Sequence, residues 1–198
     1  MDKNTQLSEI KRQKIVEAAI AEFLENGFLG ANTTRIAKRA EVSSRTLYKH
    51  FGSKEVLFDE IAQIMVERNN AMASVAFDPN RGLDEQLIEA LKTYVEVVTD
   101  EHTLGLSRII NSELLRDLDR AKTLYLETAA HDYPITKLLG DAMDAGVLRK
   151  SNAEFAATQL LGLIKTFYFW PEYMIGQSLS PDGAMEDCVK MFLKHYEV

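Results

Sequence analysis

The segment NTTRIAKRAEVSSRTLYKHF, residues 32–51, decides how the N-terminal part of the chain is expected to fold. Asn32 can cap one short helix and Ser43 can cap a second, because both side chains can accept hydrogen bonds from the first free N–H groups of a helix. Glu41 and Val42 are left to form a tight turn between the two helices. Two helices of about seven residues joined by such a turn form a helix-turn-helix, which this spacing predicts.

The apolar residues of this segment are spaced to form a core shared by the two short helices, over 33–40 and 44–50. They are Ile36, Ala37, Ala40, Val42 and Leu47. The second helix is too short to be stable alone, so it has to pack against the others. Its outer face carries Ser44, Arg45, Thr46, Tyr48 and Lys49. Guanidinium, hydroxyl and ammonium groups on one helix face are the groups that contact base edges and phosphates in DNA.

The charge is unevenly distributed along the chain. The 198 residues have a net charge of −7, but residues 1–54 hold ten Lys and Arg against six Asp and Glu, a balance of +4. The remaining residues hold thirteen basic and twenty-four acidic side chains, a balance of −11. A basic N-terminal part can bind phosphate while the rest of the chain repels it, which favours contact with nucleic acid through the N-terminal part.

The remainder of the chain has the hydrophobic periodicity of helices and no pattern typical of strands. Amphipathic helices are predicted over 7–26, 54–74, 83–98, 104–115, 119–132 and 153–174, and a last helix is predicted to begin at Ser180-Pro181. Pro134 is expected to kink or interrupt the helix that begins at Asp119, before Gly146. The sequence thus predicts an all-α fold of about nine helices, with a three-helix head over residues 1–52 and a larger helical body over 53–198.

The N-terminal residues resemble the TetR family of bacterial transcriptional regulators over about residues 8–62. The motifs that carry the likeness are Gly27-Phe28, Ile36-Ala37, Val42-Ser43, Thr46-Leu47-Tyr48, His50-Phe51 and Ser53-Lys54-Glu55 before Leu57. Farther along the chain, Phe155, the Phe167–Pro171 stretch and Gly176 look like the C-terminal domain of the AefR-like branch of that family. The resemblance implies a repressor whose third helix enters the major groove of a pseudo-palindromic operator, and whose body dimerises and senses a small ligand. A cytoplasmic location is expected on other grounds, because the one cysteine, Cys188, cannot form an internal disulfide.

The same resemblance implies roles for individual residues. By matching position, Thr33, Thr34, Ser44, Tyr48, His50 and Lys54 would hold phosphates, and Arg45, Thr46 and Lys49 would face bases. Three positions depart from the family pattern. Arg45 stands where a small residue is common, and it would either make base contact more specific or only add affinity for phosphate. Glu41 stands where glycine is usual, in a turn that needs a left-handed backbone, which a non-glycine residue adopts at a cost of about 1 kcal/mol. Arg35 stands where an acidic residue is common, and would add positive charge near the DNA backbone.

The helix over 153–174 is apolar on two sides, whereas a surface helix needs only one apolar stripe. It is therefore either a core helix of a monomer or a helix that also packs on a symmetric partner, and the resemblance favours the partner. The residues expected at a dimer interface are Leu160, Leu163, Ile164, Met185, Val189 and Phe192.

A small, largely apolar effector is expected to bind among the middle helices, because ligand sites combine apolar walls with a few polar groups. The candidate lining residues are Met65, Asn69, Tyr94, Val98, Leu106, Ile109, Ile110, Glu113, Tyr125, Phe167 and Trp170. Residues of these types are more often plain core than pocket, and Glu113 has the alternative of being an exposed helix carboxylate.

The sequence offers little support for other classes of protein. It has no glycine-rich phosphate loop, no nucleophile elbow and no His/Cys cluster, so we expect no catalytic residue, no metal and no cofactor. His102 and His131 could meet in space, but scattered histidines are more often surface or core residues. No apolar run is long enough to span a membrane. A helical protein-interaction scaffold remains an alternative, although it would not need the basic, hydroxyl-rich face over 44–50.

Overall fold

The computed structural model describes residues 3–72, 75–129 and 135–198, with side chains over 5–67, 75–124 and 135–198. These residues form eleven α-helices and no strand, which confirms the all-α class. The helices are α1 (Lys3–Gly30), α2 (Thr33–Arg39), α3 (Ser44–Phe51), α4 (Lys54–Met72), α5 (Leu83–Thr99), α6 (Glu101–Leu114), α7 (Leu118–Ala129), α8 (Thr136–Asp144), α9 (Ala153–Ile164), α10 (Trp170–Ile175) and α11 (Ala184–Tyr196), with a π-helical turn, Lys165–Phe169, between α9 and α10. None of the described helices is long and apolar enough to cross a membrane.

Two helices more than expected come from the second half of the chain. The segment predicted as one helix over 153–174 is divided by the π-helical turn, and α8 begins as a separate helix at Thr136. The last helix begins at Ala184 rather than at Pro181, because Gly183 takes a left-handed conformation immediately before it. The interruption predicted at Pro134 lies outside the described residues.

The chain divides into two compact units. The first unit comprises Met1–Met65 and Gly105–Leu126, and the second comprises Val66–Leu104 and Glu127–Val198. The first unit therefore includes α7 and most of α6 in addition to the N-terminal helices. A head that consists of residues 1–52 alone stays a prediction.

Aromatic packing at the end of α1 holds the first unit together. The rings of Phe23, Phe28 and Phe58 lie 4.6 to 5.8 Å apart in tilted and edge-on arrangements, which aromatic pairs favour. All three side chains are buried. The same hydrophobic cluster contains Leu106, Ile110 and Leu124, so α6 and α7 share the core of the N-terminal helices.

The helix-turn-helix forms by the local interactions that the sequence predicts. The side chain of Asn32 accepts a hydrogen bond from the N–H of Thr34 at 2.8 Å, and Ser43 accepts one from the N–H of Thr46 at 3.1 Å. Glu41 has a φ of 57°, which confirms the left-handed turn. The expected small core is present: Ile36, Ala37, Ala40 and Leu47 are buried, and Val42 is half-buried.

The second unit is built from α5, α8, α9 and α11. The buried residues of these helices form one hydrophobic cluster, which includes Leu87, Leu91, Leu139, Ala157 and Val189. One apolar side of α9 packs inside this core. Any contact between α9 and a partner copy would therefore be made by the other side of this helix.

Candidate nucleic-acid interface

The outer face of α3 is the exposed polar surface that the helix-turn-helix presents. Leu47 and Phe51 point into the core of the first unit, while Ser44, Arg45, Tyr48 and Lys49 are exposed. Thr46 and His50 are half-buried at the edges of this face. The structure thus groups the predicted α3 residues on one helix of about two turns, which is the size of element that fits a major groove.

A hydrogen bond joins this face to the start of α2. The hydroxyl oxygens of Thr33 and Tyr48 lie 2.9 Å apart. Thr34, the next residue of α2, is exposed. The two predicted phosphate-binding threonines therefore lie beside the α3 face, and the Thr33 contact orients the Tyr48 ring.

The hydroxyl of Thr46 is already engaged in the N-terminal cap of α3. Its Oγ1 lies 2.9 Å from the Oγ of Ser43, and its N–H is bonded to the same oxygen. Thr46 can still contact a base through its methyl group. Its predicted role at the bases stays a prediction, while its structural role is the capping of α3.

Lys54 is also engaged within the fold. Its ammonium donates to the carbonyl oxygens of Phe28 at 2.8 Å and Ala31 at 3.2 Å, and lies 4.5 Å from the centre of the Phe28 ring. Because two of its three N–H groups serve the end of α1, a phosphate contact would use the third. Replacing Lys54 would disturb the fold as well as any DNA contact, so it is a poor probe of DNA binding.

Arg35 does not add free positive charge to the surface, contrary to the expectation from its position. Its Nε donates to the buried carboxylate of Glu22 at 2.7 Å, and its second nitrogen donates to the carbonyl of Gly30 at 2.7 Å. The N–H of Asn32 donates to the same Glu22 oxygen at 3.1 Å. Burial alone would raise the pKa of Glu22, but the Arg35 and Asn32 hydrogen bonds and the nearby positive charges outweigh it and lower that pKa.

The basic residues of the first unit fall into two groups. Several pair with carboxylates: Arg12 with Glu60, Lys14 with Glu41, Arg35 with Glu22, and Arg39 with Glu25. Arg45 and Lys49 on α3 form no ion pair with any residue over 5–67, 75–124 and 135–198, and both are exposed. Lys11, Lys38 and Lys122 of this unit are also exposed and have no ion pair among the described side chains, so Arg45 and Lys49 are distinguished by lying together on the outer face of α3.

The candidate effector residues are distributed between the two units. In the first unit, Leu106 and Ile110 are core residues, Met65 and Ile109 are half-buried, and Glu113 is half-buried and lies 3.9 Å from Arg116. In the second unit, Tyr94 and Val98 are core residues, Phe167 is half-buried and Trp170 is exposed. The side chains of Asn69 and Tyr125 lie outside the described residues.

Most residues expected at the dimer interface pack inside their own chain. Leu160, Ile164, Met185, Val189 and Phe192 are 0–5% exposed and belong to the core of the second unit. The reason is that α9 and α11 turn their most apolar sides toward each other and toward α5 and α8. Leu163 is the member of the predicted set that keeps surface, at the wall of a shallow depression of about 390 Å³ lined by Gln159, Leu163, Met191, Phe192, His195 and Tyr196.

Two side chains that support the site were not singled out from the sequence. Glu22 lies among the buried positions of α1. A carboxylate on the apolar face of a helix indicates a buried charge that needs a partner, and this pattern could have identified Glu22 from the sequence. Arg120 contacts α4 across a separation of 61 residues, and no local pattern indicates this. No group of three or more potential metal ligands lies together within the described ranges, and His131 falls outside them.

Comparison with known proteins identifies the family. The model of the TetR family of bacterial regulatory proteins matches residues 15–61, and the model of the AefR-like transcriptional repressor C-terminal domain matches residues 85–198. The protein belongs to the TetR family. It is accordingly a DNA-binding transcriptional regulator, a class that is not enzymatic, and the two matched regions agree with the motifs recognised in its sequence.

Three relatives show how far the likeness extends. A TetR-family regulator from Pseudomonas syringae pv. tomato is 37% identical, with a TM-score of 0.73 over 94% of this chain and 97% of its own. The flavonoid-responsive regulator FrrA is 28% identical, with a TM-score of 0.73 over 94% and 97% of the two chains. The HTH-type transcriptional regulator YhgD of Bacillus subtilis is 23% identical over 169 residues, which are 80% of this chain and 83% of YhgD.

Proposed function

We propose that this TetR-family protein is a cytoplasmic repressor that binds a pseudo-palindromic DNA operator as a homodimer and is released by a small, largely apolar ligand. The observation that carries the DNA-binding part is the α3 face, where Arg45 and Lys49 are exposed and, among the described side chains, form no ion pair. A short, capped helix with a free guanidinium and a free ammonium is suited to the major groove.

The two basic residues are expected to contribute differently. Arg45 follows Ser44 at the N-terminal end of α3, the end of a recognition helix that contacts base edges. A guanidinium can donate two parallel hydrogen bonds to guanine, which gives sequence preference. Lys49 lies in the last turn of α3, and a flexible ammonium there contributes mainly through phosphate charge.

The dimer proposal rests on the outer sides of α9 and α11. Gln159 and Leu163 of α9 and Met191 and His195 of α11 line the depression described above, and Met191 is 55% exposed. Two further exposed apolar side chains, Trp170 and Met174, follow on α10. A second copy that covers the depression about a two-fold axis would bury its exposed apolar side chains, and the symmetry of such a dimer would match that of a pseudo-palindromic operator.

The effector proposal draws on the family and on one relative. The name of FrrA describes it as responsive to flavonoids, which are flat, largely apolar molecules with hydroxyl groups. In the first unit of this protein, Met65 and Ile109 keep part of their surface and can contact such a ligand, whereas Leu106 and Ile110 are committed to the core. Ligand binding would release DNA only if the ligand has different affinities for the DNA-bound and free states.

Fluorescence anisotropy tests the proposal. The full-length protein is titrated onto labelled DNA from upstream of its own coding region, and onto scrambled DNA of the same length at the same salt concentration. We expect binding to the first DNA to be at least about 1,000-fold tighter, and to weaken steeply with salt because several phosphates are contacted. Sedimentation of the complex should give two protein chains for each pair of half-sites.

If the protein does not prefer this DNA fragment, the next experiment selects the DNA sites that it binds from a pool of random sequences. Enrichment of a palindromic sequence would support the proposal with a different operator. If the selection enriches no sequence, the α3 face does not recognise a specific DNA sequence, and the proposed repressor function is wrong. A panel of flavonoids and other planar phenols, added to the preformed complex, then tests release.

A further inference from the structure

Arg120 of α7 makes a convergent set of contacts with the start of α4. Its Nε donates to the carboxylate of Asp59 at 2.8 Å, and a terminal nitrogen lies 2.7 Å from the same oxygen. That terminal nitrogen also donates to the backbone carbonyl of Glu55 at 3.1 Å. One guanidinium therefore bridges a full turn of α4, from Glu55 to Asp59.

The same guanidinium lies over the aromatic core of the first unit. Its central carbon is 5.0 Å from the centre of the Phe58 ring and 5.6 Å from that of Phe28. Its side chain is only 20% exposed. A planar guanidinium that stacks on rings while donating sideways combines interactions that an ammonium cannot reproduce, so the geometry is specific for arginine.

The turn of α4 that Arg120 holds follows directly after α3. Phe51 is the last residue of α3, Gly52 follows it, and Ser53 accepts a hydrogen bond from the N–H of Val56 at the start of α4. Lys54, between this cap and Glu55, is bonded to the end of α1. The junction between α3 and α4 is thus attached on one side to α1 through Lys54 and on the other to α7 through Arg120.

A second contact fixes α6, the helix before α7, on α1. A Cβ on Gly105 would lie 2.9 Å from a methyl group of Leu24, so the side chain of Leu24 packs directly against α6 at this glycine. Leu106, Ile110 and Leu124 are buried in the same core as Phe28 and Phe58. The segment Gly105–Leu126 is therefore a support for the helix-turn-helix that has well-defined contacts at both of its ends.

We propose that Arg120 is a positioning residue for DNA binding: by clamping the first turn of α4 to α7, it fixes the start of α4 and with it the placement of α3. The inference rests on the proposed DNA reading by α3. Arg120 itself is assigned no contact with DNA. Its loss should leave the α3 residues intact but allow the helix to sample more orientations, only a fraction of which fit the groove.

The test compares Arg120→Met with the matched control Arg116→Met. Methionine keeps much of the apolar packing and removes the hydrogen bonds, and Arg116 is a 61% exposed arginine in the same unit. Under conditions where unfolding curves show every variant to be fully folded, we expect Arg120→Met to weaken operator binding about tenfold and Arg116→Met less than twofold. Asp59→Asn should weaken binding similarly, and the double variant Arg120→Met/Asp59→Asn no more than the worse single variant, because both remove one clamp.

Hydrogen–deuterium exchange gives a readout that needs no DNA. We expect Arg120→Met to speed exchange in peptides covering residues 44–59 and Arg120→Lys to restore only part of the protection, while peptides from α9 and α11 stay unchanged. Operator binding by folded Arg120→Met within twofold of the wild type, or unchanged exchange over 44–59, would overturn the inference. Failure of the proposed function looks different: the wild-type protein would then show no preference for any DNA sequence, whatever the exchange results.

Discussion

The buried carboxylate of Glu22 accepts a 2.7 Å hydrogen bond from the Nε of Arg35, and this pair ties α1 to α2. Glu22 is 2% exposed, so its charge depends on the partners that the fold supplies. The N–H of Asn32, the residue that caps α2, is bonded to the same oxygen. The pair therefore fixes the start of the helix-turn-helix, and it uses an arginine that would otherwise lie free beside the proposed DNA surface.

Replacing Glu22 by glutamine should destabilise the first unit. Glutamine keeps the shape and one acceptor but loses the charge that attracts Arg35, so we expect the free energy of unfolding to fall by about 1–2 kcal/mol. Urea unfolding followed by circular dichroism measures the change. Glu25→Gln is the matched control, because the Glu25–Arg39 pair is exposed and should contribute little. Equal effects of the two substitutions would contradict this role of Glu22.

The contribution of Glu22 should also depend on pH in a defined direction. Because the fold lowers the pKa of this carboxyl, the stabilisation is complete above the ordinary glutamate pKa of about 4.3 and is lost as the pH falls through the lower pKa of the folded state. We therefore expect the stability difference between the wild type and Glu22→Gln to be larger at pH 7 than in strongly acidic buffer. If the stability difference between the wild type and Glu22→Gln grows on acidification, the fold raises the pKa of Glu22 instead of lowering it.

Arg45→Ala and Lys49→Ala should affect DNA binding in different ways. Loss of a bidentate base contact costs about 1–3 kcal/mol at the matching base pair and relaxes preference there. Loss of a phosphate contact weakens binding to all sequences alike and lowers the salt slope by about one. Titrations with the operator and with single-base variants of it, at several salt concentrations, separate the two. If Arg45→Ala weakens binding to the operator and to all of its single-base variants equally, Arg45 contacts phosphates rather than bases.

Glu41 is expected to limit the stability of the turn between α2 and α3. Its φ of 57° disfavours a residue with a side chain, so Glu41→Gly should raise the free energy of unfolding by up to about 1 kcal/mol. Glu41→Val should lower it, because a branched side chain tolerates this conformation poorly. Thermal unfolding provides the comparison, and Glu41→Gln isolates the exposed ion pair with Lys14, which should matter little. Destabilisation by glycine would mean that the ion pair outweighs the backbone strain.

A charge on the outer face of α9 or α11 should dissociate the proposed dimer. Leu163→Glu and Met191→Glu place carboxylates at the depression, so each should raise the dimer dissociation constant about tenfold or more. Met191→Glu is the cleaner test, because Met191 is 55% exposed whereas Leu163 also packs against the core of the second unit. Analytical ultracentrifugation measures this. Val147→Glu is the control, since Val147 is an exposed apolar residue that does not line the depression. Dimers unaffected by both substitutions would place the interface elsewhere.

Local interactions account for what could be predicted correctly. Asn32 and Ser43 act on groups within a few residues of themselves, so the two caps could be recognised from spacing alone. Spacing also predicted a tight turn at Glu41, but its left-handed backbone was implied by the family resemblance. Spacing alone could not distinguish the inner side of α9 from its outer side. Both of its sides are apolar, and only the packing against α5, α8 and α11 shows that Leu160 and Ile164 are core residues while Leu163 keeps surface.

The amino-acid sequence by itself determined the all-α class, the helix-turn-helix and the family, because these depend on periodicity, caps and short motifs. The tertiary structure decided which charges remain available. Arg35 and Lys54 carry the same kind of charge as Arg45 and Lys49 in the sequence, but the fold turns the first two toward Glu22 and toward the carbonyls at the end of α1. Arg120 joins α4 over 61 residues of sequence. Such contacts depend on where the helices meet in space, and no short-range pattern contains that information.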